Sequence, residues 1–208
     1  MRLLIHPTYF PNIAHFTAMS QAEHIVIEGE DNFLKQTYRN RTYIYGANGK
    51  LALSIPVIHS QNNRQKYRDV KISFDEPWQM HHWKSLLSAY RTSPFFEYYE
   101  DDLQALFLKK ETFLFDFNLK CLDTVCECLA LELKSTKTQT YEHQVEGIVD
   151  GRHLVYAKQE TPKTFEKYTQ VFDDKHGFLS NLSILDLLFN EGPNALNYLE
   201  SQPINLQK

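Results

Sequence analysis

The chain has 208 residues, 42% of them hydrophobic and 23% charged, which is ordinary globular composition and enough for one sizeable domain. No run approaches the ~20 apolar residues of a membrane span, and the opening MRLLIHPTYF has too short an apolar core for a signal peptide, so a cytoplasmic location is expected. Three cysteines, Cys121, Cys126 and Cys128, make no disulfide framework and read as reduced structural residues.

Arg2 to Ile5 is a short apolar run ended by HPTYFP, as for a strand leaving the core into a tight loop. Asn12 is a good N-cap for a short helix in which Ile13, Phe16 and Met19 recur at helical spacing. Ala22 to Ile27 then reads as a second strand before the acidic GEDN turn. Strand, helix, strand in so few residues predicts a right-handed parallel unit and a Rossmann-like start. YRNRTYIYGANGKLALSIPV follows as a hairpin, Tyr43 and Tyr45 alternating on one arm and Leu51, Leu53 and Ile55 on the other, with a turn between Gly46 and Gly49. The polar run from His59 to Arg68 has no apolar period and reads as a mobile loop, a candidate lid.

Asp69 to Tyr99 reads as strand, turn and helix. Val70, Ile72 and Phe74 alternate with polar residues, the pattern of a half-buried strand. Asp75, or a Ser73 and Glu76 capping box, starts the helix, and Pro94 stops it near Arg91 or Thr92. Met80, Trp83, Leu87 and Tyr90 share one face, expected to be core, with Leu86 beside them. His82 lies at the border of that stripe, and a histidine there can be oriented by packing yet reach a cleft with a pKa suited to proton transfer. The alternative is a hydrogen-bonded core histidine.

Two more helices are expected over Tyr98 to Leu108 and Thr112 to Leu133, then a strand within Lys134 to Tyr141. Glu142 to Lys167 is mixed, with a turn at Asp150 and Gly151. Tyr168 to Phe172 looks like a strand, and a helix begins near Ser180 or Asn181 and ends at Gly192 and Pro193. That helix is apolar except for a seam of Ser183, Asp186 and Asn190, expected to face a polar cleft or solvent. The fold class is therefore α/β: a single three-layer domain with a Rossmann-like parallel sheet start, a β-hairpin insertion and several helices.

The net charge of −4 hides an asymmetry: Lys35 to Lys71 holds eight basic residues against Asp69 alone. A basic patch on an acidic chain points to a small anionic ligand and away from a nucleic-acid track, the alternative being a solvated face opposing the acidic remainder. Nine histidines are dispersed without HxH or HExxH spacing, and His81 and His82 diverge on a helix, so no metal site is expected. No cofactor and no oligomeric state is indicated.

Taken together, PTYFPNIAHF, YRNRTYI with its glycine turn and LSIPV, DVKI, PWQMHHWKSLLSAYRTSPFFEYY and GFLSNLSILDLLFNEGP resemble the WbqC-like protein family. The family's Asn-Arg pair matches Asn40 and Arg41, its Pro-Val matches Pro56 and Val57, its Asp-Val matches Asp69 and Val70, and its Trp-x-x-x-His matches Trp78 and His82. His6, Asn12, Ala14 and His15 depart from the family's Gln-Pro-x-Tyr-x-Pro-Trp-x-Gly-Tyr opening. The resemblance implies a role in surface polysaccharide (O-antigen-type) biosynthesis, as an enzyme transferring glycine or another amino acid to a sugar.

Such chemistry needs a base for the incoming nucleophile and cations for the donor's anionic group. His82 with Asp69 as orienting partner is the candidate catalytic pair, Arg39, Arg41 and Lys71 the anion clamp, and Tyr9, His15, Asn40 and Asp186 further contacts to an anionic or sugar substrate. Two other readings stand beside it. Asn12 to His15 sits where nucleotidyltransferases and class I synthetases carry His-x-Gly-His, which predicts a nucleotide phosphate on the helix N-terminus. The 12 tyrosines and 14 phenylalanines also suit a non-catalytic scaffold protein of polysaccharide assembly.

Overall fold

A computed structural model describes residues 1–58, 64–157, 165–203 and 206. The expected lid falls partly on 59–63, and part of the mixed stretch on 158–164, outside the described residues.

The parallel start forms as expected. Strand β1 (Arg2–Ile5) leads through helix α1 (Ile13–Ser20) to strand β2 (His24–Ile27), paired in parallel from Arg2 with His24 to Ile5 with Ile27. The hairpin β3 (Arg41–Gly46) and β4 (Gly49–Ser54) is a separate antiparallel pair, closed by Gly49 at φ +96°. Helices α2 (Trp78–Tyr90), α3 (Phe96–Leu108) and α4 (Leu114–Cys128) follow, then strands β5 (Ser135–Lys137) and β6 (Val149–Asp150). The chain closes with α5 (Asp173–His176), α6 (Ile184–Glu191) and α7 (Ala195–Ser201).

The main sheet is all parallel, in the order β5-β2-β1-β6. Strands β2 and β5 extend it to one side of β1, whereas β6 joins on the other side. The winding therefore reverses between β1 and β6, and in open parallel sheets ligands sit beyond the carboxyl ends of the strands at such a reversal. Two close approaches shape that end: a Cβ on Gly151, just after β6, would stand 2.9 Å from Leu3 and 3.0 Å from Ile5, so glycine lets the β6 turn lie against β1.

Several expectations are corrected. Val70 and Ile72 are buried, but their segment makes only isolated bridges, Ile72 with Val57 and Lys71 with Phe113, because neighbours on each side pair for one residue and diverge. Neither Asp75 nor Ser73 caps α2; the two bond each other at 2.7 Å, and Pro77 precedes the first helical residue. The buried face of α2 is Trp78, His82, Trp83, Leu86, Ala89 and Tyr90, while Met80 is 47% exposed, so the stripe is rotated to place His82 inside it. Val149 and Asp150 form β6 where a turn is expected, with the turn one residue later. Tyr168 to Phe172 is not a strand: Tyr168 and Gln170 turn inward to a buried carboxylate.

Candidate functional site

Because β1 and β2 are in register, His6 and Glu28 leave the sheet at the same carboxyl end. Glu28 then organises the acidic turn. Its Oε1 accepts from the Glu30 amide at 2.7 Å, the Asp31 amide at 3.2 Å and the Thr138 hydroxyl at 3.0 Å. That fold of the turn brings Asp31 to 3.0 Å from His6 Nε2. Arg39, fully buried, closes the group. Its Nη2 lies 2.7 Å from both Asp31 Oδ2 and His6 Nε2, its Nη1 donates to the Asn32 carbonyl at 2.7 Å, and the guanidinium sits 5.2 Å above the Tyr67 ring.

The protonation states follow from this geometry. His6 Nε2 lies within reach of both the Arg39 guanidinium, which only donates, and the Asp31 carboxylate, which only accepts, so the ring nitrogen that carries the proton decides which of the two it bonds. Burial first, then the Arg39 charge, hold the His6 pKa down at about 4, so the ring is neutral at pH 7. For Asp31 burial pushes upward, but the hydrogen bond to His6 and the Arg39 charge outweigh it and set the carboxyl at about 2. One edge of this otherwise buried group is open, since the Asp31 side chain is 19% exposed.

Support comes from α4. Asn118 Nδ2 donates to the Arg39 carbonyl at 2.6 Å and to the Tyr67 hydroxyl, which donates to the Pro7 carbonyl at 2.7 Å. Across the winding reversal, Arg152 binds both oxygens of Asp150 at 2.9 and 2.8 Å and lies 5.2 Å from the Tyr141 ring. Several buried atoms here make no hydrogen bond to any described group: His6 Nδ1, Thr8 Oγ1, Arg39 Nε, Asn40 Oδ1 and Asn118 Oδ1. Buried polar atoms are nearly always satisfied, so a concentration of open ones around one strand end marks a place built for more than packing.

The residues singled out from sequence are scattered by the fold. His82 is buried, its Nδ1 2.9 Å from the Tyr9 hydroxyl, its ring against Trp78. Burial lowers its pKa to about 4, with a hydrogen bond to the Ser54 backbone acting against that. Asp69 is exposed, its carboxylate 3.9 Å from Arg68, so it is Tyr9 that orients His82. Of the anion clamp, Arg39 is neutralised by Asp31. Arg41 bonds the Ser54 hydroxyl at 3.2 Å, Lys71 is exposed, and neither has a carboxylate partner among the described residues. Asn40 donates to the Ile55 carbonyl at 3.1 Å. Lys66 and Arg68, also counted in the basic patch, both bind Glu30. Much of the patch is thus the complement of the acidic turn.

His15 lies at the start of α1, its ring 2.9 Å from Asn12 Oδ1. The first amides of that helix are taken: Ile13 by the Leu182 carbonyl, Ala14 by Asn181 Oδ1 and His15 by Asn12 Oδ1. A phosphate there would have to displace them, which argues against the nucleotide reading of this loop. Asp186 faces neither cleft nor solvent. It accepts from the Tyr90 hydroxyl at 2.8 Å, the Tyr168 hydroxyl at 2.5 Å and Gln170 at 2.8 Å, and burial raises its pKa in spite of them.

Sequence reasoning passed over His6, Asp31, Tyr67, Asn118 and Arg152. The usable signal was positional: His6 directly follows β1, and the GEDN turn directly follows β2.

The model of the WbqC-like protein family matches residues 6–160. The uncharacterized protein Rv1507c of Mycobacterium tuberculosis is 25% identical over 224 residues, covering 94% of this chain and 96% of that protein. No solved structure matches.

Proposed function

The chain belongs to the WbqC-like protein family, and on that premise we propose that it is a transferase of surface-polysaccharide biosynthesis whose sugar substrate binds at the carboxyl end of the parallel sheet. The observation that carries the reading is the convergence of His6, Asp31 and Arg39, with open polar atoms around them, beside the winding reversal.

Charge decides the kind of ligand. Arg39 is paired with Asp31, Arg152 with Asp150, and Lys66 and Arg68 with Glu30, so the cations at this end are already matched. A hydroxyl-rich molecule suits such a site better than a bare anion, because its hydroxyls both donate to Asp31 and accept from donors left open. Asp31, ionised and at the open edge, orients the acceptor hydroxyl or amine. His6 and Arg39 fix Asp31 in place. Arg41 and Lys71 remain to meet the anionic part of an activated donor, and transfer of glycine or another amino acid to the sugar is the reaction this arrangement is assigned.

The test is a thermal-shift screen of the purified protein and its Asp31→Asn and Arg41→Ala variants against nucleotide sugars, free sugars, amino acids and ATP, since a ligand that binds only the folded state raises the melting temperature. A sugar-dependent shift that disappears in Asp31→Asn is the expected result. A shift that survives in that variant, or silence across every sugar, overturns the reading.

A further inference from the structure

Arg152 holds a loop at the carboxyl end of the sheet. The Gly151 amide donates to the Leu4 carbonyl at 2.8 Å, which sets Arg152 beside the end of β1. Its side chain is 9% exposed, yet it reaches past Asp150 to the Glu142 carbonyl at 2.7 Å and the His143 carbonyl at 3.0 Å. Those charge-assisted bonds fix the chain that leads out of β5, and the guanidinium lies over the Tyr141 ring, 5.2 Å from its centre.

What the loop presents is an aromatic ring. Most of the tyrosines lie in the core, whereas Tyr141 is 43% exposed and Tyr156 36%. Tyr156 is brought to the same end by the bond from the Tyr38 amide to the Val155 carbonyl at 2.9 Å, next to Arg39. The Tyr141 phenol is raised above the ordinary tyrosine value, by partial burial first and then by the Asp31 charge, so the ring stands within electrostatic reach of the site's open carboxylate.

The Arg152 guanidinium covers one face of that ring and leaves the other for a ligand. A ring already held still costs a ligand little ordering entropy and offers it a flat apolar surface. A saturated sugar ring is the complement, with C–H groups on one face and hydroxyls around its rim. We infer that Tyr141 is the stacking platform of the sugar site: the C–H face of a pyranose lies on its ring while a rim hydroxyl donates to Asp31. Arg152 is the positioning residue that keeps the platform in place. The inference rests on the sugar-binding reading and adds the side chain that selects a pyranose by its apolar face.

The experiment titrates the isotope-labelled full chain with the methyl β-glycosides of glucose, galactose and N-acetylglucosamine, and with uracil as a flat control that lacks a sugar ring, reading amide NMR shifts. A glycoside that shifts residues 28–32 is expected to shift 139–143 in the same titration. Tyr141→Ala, at an exposed position that the fold tolerates, is expected to weaken that binding about tenfold, and Tyr141→Phe to leave it within about twofold. Undiminished affinity in Tyr141→Ala, with the shifts at 28–32 intact, would overturn the platform and leave the sugar site standing. Uracil binding as tightly as the best glycoside would overturn the selection of a pyranose. Absence of any shift at 28–32 with every glycoside would overturn both the platform and the reading beneath it.

Discussion

Replacing Arg39 by methionine removes the guanidinium that holds Asp31, His6 Nε2 and the Asn32 carbonyl together. Deleting one partner of a buried ion pair costs about 3–5 kcal/mol, and the partial exposure of Asp31 places this case near about 3 kcal/mol at pH 7. The pH dependence is more diagnostic. His6 and His82 each have a folded pKa of about 4 against an unfolded 6.5, so between those values the unfolded chain holds the proton and the folded chain does not. Stability is therefore lost as pH falls through that window. From pH 7 to pH 5 each histidine removes about 2 kcal/mol, about 4 kcal/mol for the pair. In Arg39→Met the charge that lowers the His6 pKa is gone and Asp31, which raises it, remains. Burial, the larger cause, remains, so the His6 share of the acid loss shrinks without vanishing, and the deficit of the variant narrows from about 3 kcal/mol at pH 7 to about 2 kcal/mol at pH 5. Urea unfolding at pH 7, 6 and 5, followed by the fluorescence of buried Trp78 and Trp83, measures both curves. Parallel curves would refute the link between Arg39 and His6, and a variant as stable as the parent would refute the buried pair itself.

Tyr9→Phe leaves His82 Nδ1 buried without its donor and is expected to cost about 1–3 kcal/mol in the same unfolding assay. Asp186→Ala strands two tyrosine hydroxyls and the Gln170 amide, for a loss of at least about 3 kcal/mol, whereas Asp186→Asn keeps an acceptor and costs less. Burial pushes the thiol of Cys126 up to about 12 and that of Cys128 to about 11, and raises that of Cys121 as well, so at pH 8 a thiol reagent is expected to label none of them quickly in the folded protein and all three after unfolding.

The local parts of the fold were legible because their causes are local. Asn12 caps α1 through its own side chain, and Gly192 ends α6 at φ +52°, a conformation glycine adopts freely; the start of α6, expected near Ser180 or Asn181, falls instead at Ile184, where Ser183 is the cap. Pro94 likewise confines α2 to Tyr90. The sheet was legible except for its last strand. The alternation of Lys134 to Tyr141 marks β5, whereas β6 is two residues long and pairs with a strand more than a hundred residues earlier, so no periodicity announces it. Val70 to Phe74 alternates as a strand does, yet its alternation records which side chains are buried and not a ladder. The site failed to show for a related reason. The basic residues of 35–71 looked like a ligand clamp because their acidic counterparts, Glu30 and Asp31, lie in an earlier turn, and only the folded chain brings the two together.

The claim on which the account rests is that the carboxyl end of β1, at its junction with β6, is where substrate binds. Hydrogen exchange of the full chain with and without the sugar compound giving the largest thermal shift tests it most directly. The account predicts slowed exchange in residues 6–12, 28–32, 37–41 and 150–156. Protection confined to α2, or no protection at the strand ends, would contradict it.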